Sequence, residues 1–419
     1  MMDVAMLSSS HRSLSHDQVR ALYPSLSTGF GFFDNAGGSQ IPIPVLEAIH
    51  SFFLERNVQS GGGYRASQEV TGIVQRAHEW INDLFGGTGL GSVVIGQSAT
   101  ALLTTLSHAL RHRLHPGDQI IVSKANHESN IGPWVRLAEF GVEVVWWEVD
   151  PESGLSDLDA LKSLITERTK LICYPRTSNL LGDIQDCRAI QTIAESVGAW
   201  TIVDAVASGS HEALDVRAWG CDFCVVSHYK IFGPHVGSLW GKDDHWHSLK
   251  GEGHYFQSPT STYARFELGC LPYELLAGIL ELKTYFELIT GNAGLPAREL
   301  VEAAYKHVYD LEKPITSILM DWANSRADLR ILGSTCSEGR HPTLSIVPKN
   351  IGISELESKV HEGPFGVKSG HFYAPRLCES VGVDPATGVL RISAVHHNHP
   401  EETTALTQYL DRALDCLTP

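Results

Sequence analysis

A chain of 419 residues, 43% hydrophobic and 19% charged, is too long for one ordinary core and reads as a globular protein of two domains, or a large domain with a smaller one attached. A formal net charge of −16 with no basic block argues against a polyanionic partner such as nucleic acid and for small molecules, and no apolar run approaches the roughly 18 residues that a membrane span needs. The eight cysteines are scattered without framework spacing, which predicts reduced thiols.

The opening "MMDVAMLSSSHRSLSHDQ" lacks the basic head and apolar block of a secretory signal. We read residues 1–30 as an arm packing on the smaller domain, and the protein as cytoplasmic. "FDNAGGSQIP", from Phe33, is either a turn or a wall of the substrate site, since its glycines would let backbone approach a ligand. From about residue 90, short β-branched runs alternate with amphipathic stretches: "GSVVIG", "ATALLTTLSHALRHRL", "QIIVS", "VEVVWWEV", "LDALKSLI", "KLICY", "CRAIQTIAESVG", "WTIVDAV". Runs apolar on both faces and separated by helices predict an α/β core with a mostly parallel sheet covered on both sides. Cys221 and Cys224 of "CDFC" sit in a strand-like alternation and read as buried structural thiols. After the helical "LPYELLAGILELKTYFELI" the pattern changes to one long helix, short strands such as "TLSIVP" and "VLRISAV", and a closing helix. This divides the chain into a large domain over 31–290 and a small α+β domain over 291–419.

"VVSHYKIFGPHVGSLWG", Val225 to Gly241, puts a lysine at the end of an apolar strand. An open α/β sheet binds its ligand beyond the carboxyl ends of its strands. Lys230 stands at one such end and Asp204, in "WTIVDAVAS", at another. A lysine can hold an aldehyde cofactor as a Schiff base, and an aspartate can keep a pyridine nitrogen protonated so that the ring withdraws electrons from a substrate carbon. The cofactor that this pair suits is pyridoxal 5′-phosphate (PLP). Its phosphate needs a seat, and "GQSATALL" offers Ser98, Ala99 and Thr100 where a helix begins, with free N–H groups and a favourable dipole. Ser227 and Tyr229 flank the lysine with hydroxyls.

These residues resemble the class V aminotransferase family of fold type I PLP enzymes, in its cysteine desulfurase-like branch, from "FDNAGGSQIP" to "RISAVHHNHPEE" near the end. The resemblance implies a fold type I PLP-dependent transferase and a homodimer with its active site at the interface, where "ELGCLPYELLAG" around Gly269 to Tyr273 reaches the partner's phosphate. It further implies that Lys230 carries the cofactor, that Asp204 pairs with the pyridine nitrogen and that His127 of "ANHESNIGPW" stacks on the ring. By the same likeness Asn179 of "SNLLG" meets the phenolic oxygen, and Arg391 of "VLRISAV" grips the substrate carboxylate. A guanidinium suits that last task because it forks onto a carboxylate.

The departures bear on the reaction. In "VKSGHFYAPRLCES" the position that carries the persulfide cysteine of desulfurases is Tyr373, and Cys378 reads as a structural thiol. Lys368 stands where desulfurases usually have arginine, Ala207 replaces a glutamine, and Tyr229 replaces a histidine. A decarboxylative aldolase of the branch shares several features with this chain, which we take as Trp146, Trp147, His254, Ser369, Gly370 and Arg376. The substrate-binding set expected is thus Arg391, Arg376, Lys368, Tyr373 and His254, with Arg376 reading a second carboxylate. The expected reaction is cleavage at Cβ of a small, aspartate-like amino acid, leaving open whether the carbanion is protonated or added to a second, aldehyde substrate. A C–S or C–Se lyase, an aminotransferase or racemase, and a non-catalytic PLP-binding protein are the alternatives. His108, His112 and His115 are close enough to raise a zinc site, but the HExxH pattern is absent and no metal is expected.

Overall fold

The computed structural model describes residues 12–258 and 260–417, so residues 1–11 of the expected arm lie outside the described residues. The strands in chain order are β1 (Gly31–Phe32), β2 (Gly91–Gly96), β3 (Gln119–Ser123), β4 (Glu143–Trp147), β5 (Thr169–Pro175), β6 (Trp200–Asp204), β7 (Phe223–Ser227) and β8 (Gly237–Lys242). They continue with β9 (Leu329–Leu332), β10 (Thr343–Pro348), β11 (Phe365–Gly366), β12 (Lys368–Gly370) and β13 (Val389–Ser393). Seven of these form one sheet in the order β2-β8-β7-β6-β5-β3-β4, and four form a second, β12-β13-β10-β9.

In the large sheet β4, β3, β5, β6 and β7 run parallel, whereas β8 pairs antiparallel with both β7 and β2. β3 and β7 are buried at every position, as strands covered by helices on both faces must be. The residues alternate between two cores. Val203 and Cys224 face one, while Ile202, Phe223 and Val225 face the other. The second sheet is wholly antiparallel and has its own core around Leu344, Ile346, Leu390 and Ile392. This is the fold type I architecture expected of the sequence: a large, mostly parallel sheet plus a small antiparallel one.

Two segments tie these layers together. The helix Ala297–Ser325 packs Leu300, Val301 and Val308 into the large core and Ile315, Leu319 and Met320 into the small one. Near the start, Val19, Leu22 and Tyr23 pack into the large core, while Arg20 donates to Glu402 of the final helix at 3.1 Å and to the His397 carbonyl at 2.8 Å. The short β1 then pairs in parallel with β11, which brings Asp34 beside Ser393 at the end of β13.

Among the described residues no helix is long and apolar enough to cross a membrane. All eight cysteines are free, and Cys221 and Cys224 are buried.

Candidate active site

β7 ends at Ser227 and the chain turns back into β8 through a short helical turn, His228–Lys230. Phe232 holds a left-handed backbone, φ 60°, which a residue with a side chain adopts only under constraint. The constraint comes from the "DNAGG" turn. Ser39 Oγ donates to the Tyr229 carbonyl at 3.1 Å and accepts from Phe232 N–H at 2.9 Å, so one hydroxyl staples both ends of the lysine turn. Tyr229 lies flat against His235, 4.6 Å between ring centres and 5° between planes.

A cavity enclosing about 550 Å³ of atom-free space opens beside this turn. Ser98, Ala99, Thr100, His127, Asn179, Asp204, Ser227, Tyr229 and Lys230 all line it, so all nine residues expected around a cofactor come together. Ala207, Ser129, Pro175, Thr177 and Val206 complete the wall.

Each wall has a local cause. Ser98 caps the helix Ala99–Arg111, its side chain accepting from Ala101 N–H at 3.1 Å, and the other first-turn N–H groups have no partner within the helix. That helix start can seat against β8 only because residue 237 is glycine: a Cβ there would lie 2.4 Å from the Ser98 carbonyl carbon. Asp204, at the end of β6, accepts from Val206 N–H at 2.9 Å, and burial raises its carboxyl above the ordinary range. His127 accepts from Ser129 N–H at Nδ1, 3.1 Å. Burial, followed by the nearby Lys230 and Arg391 charges, lowers its pKa to about 4, so the ring is neutral near pH 7. Lys230 is lowered to about 8, first by burial and then by Arg391, against the opposing pull of Asp204 and Asp34. It therefore supplies roughly a tenth of its population as free amine at pH 7, far more than a lysine of ordinary pKa.

None of the five residues expected to read the substrate is among those that line this cavity. Arg391 on β13 is 2% exposed; Nη2 donates to Asp34 Oδ1 at 2.6 Å and Nη1 to the Asn179 carbonyl at 3.1 Å. Phe372 lies across its guanidinium, 3.7 Å from Cζ to ring centre. Asn179 in turn donates from Nδ2 to the Phe372 carbonyl at 2.8 Å, which leaves its buried Oδ1 without a partner among the described residues. Phe372 and Tyr373 are both left-handed, φ 47° and 58°. The Tyr373 carbonyl accepts from Glu128 N–H at 2.7 Å, and its exposed ring stands 5.1 Å from that of His127. Arg376 sits 4.7 Å over the Trp146 ring and 3.4 Å from Glu128.

Three residues stand apart. Lys368 is exposed, opposite Arg391 in the β12–β13 register, and opens onto a neighbouring cavity with Asp34. His254 lies on an exposed segment, stacked on Phe256, and does not line the cavity of its own chain. Trp147 points into the core, donating from Nε1 to the Asp157 carbonyl at 3.0 Å, because strand alternation sends it away from Trp146. Cys378 is buried in the short helix Pro375–Ser380, and burial pushes its thiol to about 11, so it is protonated near neutrality. Gly269 to Tyr273 lie outside the cavity, with Leu268 beside them exposed. Among the described residues no group of three or more histidines, cysteines or carboxylates could hold a metal ion, and His108, His112 and His115 are exposed.

Sequence reasoning missed the partners of the substrate wall: Asp34 against Arg391, Phe372 on its face and Glu128 against Arg376. Only "DNAGGSQ" gave a signal, and it marked a turn without naming a cation. The donor set fits a planar nitrogen heterocycle with an anionic arm. A buried acid, a neutral flat imidazole, an orphaned amide oxygen and a free helix start face one cavity with one amine.

The family profile described as Aminotransferase class-V matches residues 31–406. The chain is 32% identical to the "Aminotransferase-like protein FGM3" of Gibberella zeae, over 97% of this chain and 100% of that protein. It is 27% identical to the "Cysteine desulfurase-like protein ustD" of Aspergillus flavus, over 94% of this chain and 90% of that one. Among solved structures it is similar to the cysteine desulfurase CsdA of Escherichia coli, with a TM-score of 0.78 and 25% identity over 97% of this chain and 100% of that chain.

Proposed function

The chain belongs to the class-V aminotransferase family, as a PLP-dependent enzyme of its cysteine desulfurase-like branch, and on that premise we propose that it cleaves a bond at Cβ of a small, acidic amino acid, releasing the side-chain carboxylate of an aspartate-like substrate as carbon dioxide. The observation that carries this reading is a loop that meets one arginine, leads into another and holds no reactive thiol. Phe372 lies on Arg391, Tyr373 stands in place of the persulfide cysteine, Arg376 follows over Trp146, and Cys378 is buried and protonated.

In this reading Ala99 and Thr100 N–H, with the Ser98 and Ser227 hydroxyls, hold the cofactor phosphate at the helix start. Asp204 holds a proton on the pyridine nitrogen, Asn179 meets the phenolic oxygen, and His127 covers one ring face as a neutral imidazole. When bound, PLP supplies an electron sink that stabilises negative charge on the substrate carbons. Lys230, with its depressed pKa, takes and returns the proton at Cα. Arg391 receives the α-carboxylate and Arg376 the second one, and Tyr373 closes the rim against water. Whether the carbanion at Cβ is protonated or attacks an aldehyde depends on what else enters. The reading includes a homodimer, for which the exposed Tyr255, Phe256 and Leu268 offer apolar surface.

The test is to incubate the purified protein with each natural amino acid and analyse carbon dioxide, alanine, pyruvate and sulfide. Carbon dioxide from aspartate, lost in Arg376→Ala, is the expected result. Sulfide from cysteine without carbon dioxide from aspartate would replace this reading with a C–S lyase. A PLP spectrum unaltered by every amino acid would point to a non-catalytic binding protein.

A further inference from the structure

Arg391 already holds a carboxylate. Asp34 Oδ1 accepts from Nη2 at 2.6 Å, while Nε is buried without a hydrogen-bond partner among the described residues. Asp34 is itself fixed: it bridges Ser393 beside β13, and its carbonyl accepts from Gly37 N–H at 2.9 Å. Glycine at 37 is what gives this carboxylate room, since a Cβ there would lie 2.9 Å from Oδ2. Arg391 has other supports. The β13 register, the Asn179 carbonyl and the Phe372 ring hold its guanidinium independently of Asp34.

We propose that Asp34 is a resident stand-in for the substrate carboxylate, neutralising Arg391 while the site is empty and weakening the hold of Arg391 on the carboxylate that arrives. This rests on the reading of Arg391 as the receiver of that carboxylate. A buried guanidinium without a counter-charge is costly, so the empty protein needs a partner for it. An arriving carboxylate must then displace Asp34 or share one cation with it, and in either case gains less than it would from an unpaired arginine. Asp34 faces the neighbouring cavity that Lys368 and Glu357 also line, and its side chain is 31% exposed, so it has water to turn toward when it yields. Asp34 is a positioning residue whose charge sets affinity. A merely structural support would act with the opposite sign, since its loss would disorder Arg391 and weaken binding.

The test uses succinate as the probe, by titration calorimetry on the purified protein, together with the aspartate concentration that half-saturates the absorbance change. Asp34→Asn should bind succinate about tenfold more tightly and unfold at a lower temperature that succinate raises by more than in the wild type. Asp34→Glu should stay near the wild-type affinity, and Arg391→Ala should lose it. Weaker or unchanged binding in Asp34→Asn, with binding still lost in Arg391→Ala, would overturn the proposal and leave the reading of Arg391 intact. Retained binding in Arg391→Ala would remove that reading itself. If Asp34→Asn does not accumulate folded, Asp34→Ser carries the same expectation.

Discussion

Asp204 closes β6 and Lys230 follows β7, two neighbouring strands that pair from Ile202↔Phe223 to Asp204↔Val225. Arg391 belongs to the other sheet, close enough for its charge to act on His127 and Lys230, and its partners come from the "DNAGG" turn, the loop after β5 and the strained Phe372 loop. The first region is made by one sheet, whose buried strands fix the position of whatever follows their ends. The second is made by contacts between segments that no single sheet holds. On the proposed function, chemistry that must not move is built on the first, and a carboxylate that must enter and leave is met by the second, where loops can give way.

This contrast can be broken from its strongest side. Lys230→Ala should reduce turnover by on the order of 10⁴-fold and abolish borohydride-dependent labelling of the peptide around residue 230, read by mass mapping. Asp204→Asn should keep the fold and cost about a hundredfold in turnover, since it removes the charge but not the shape. Arg391→Ala should act on affinity more than on rate, raising the half-saturating amino acid concentration by about tenfold or more. If it lowered the turnover number alone, the division between a chemical end and a recognition wall would fail.

A pH experiment sharpens the same point. Because the Lys230 pKa is about 8, the rate at which cofactor-free protein combines with PLP should rise up to about pH 8 and level off above it, as the amine loses its proton. His127, near 4 and neutral across this range, should add no second inflection between pH 5 and 9. The smallest effect belongs to Cys378→Ser. A buried thiol at about 11 offers no thiolate, so turnover should change by less than about twofold.

Much of the first region was legible in the sequence because its signals are local. β-Branched runs specify buried strands, an Asp or Lys just past such a run marks a sheet end, and Ser98 before "ATALL" marks a helix cap. Each is a pattern of near neighbours that survives whatever surrounds it. The resemblance then supplied roles for Asn179, His127 and Arg391, which no spacing could have assigned.

Only the tertiary structure decided what those residues touch. Asp34 and Arg391 are 357 positions apart and meet because β1 pairs with β11 and β13 lies beside Asp34, a fact of sheet order. Trp146 and Trp147 are adjacent letters, yet one lies under Arg376 and the other in the core, because successive residues of a strand face opposite ways. His254 belongs with the substrate residues by resemblance, but the fold leaves it outside the cavity of its own chain. The sequence by itself determined which side chains could do the chemistry, through short-range pattern. Their distances, and the charges that face them, were decided by long-range pairing, which the local pattern of a chain does not record.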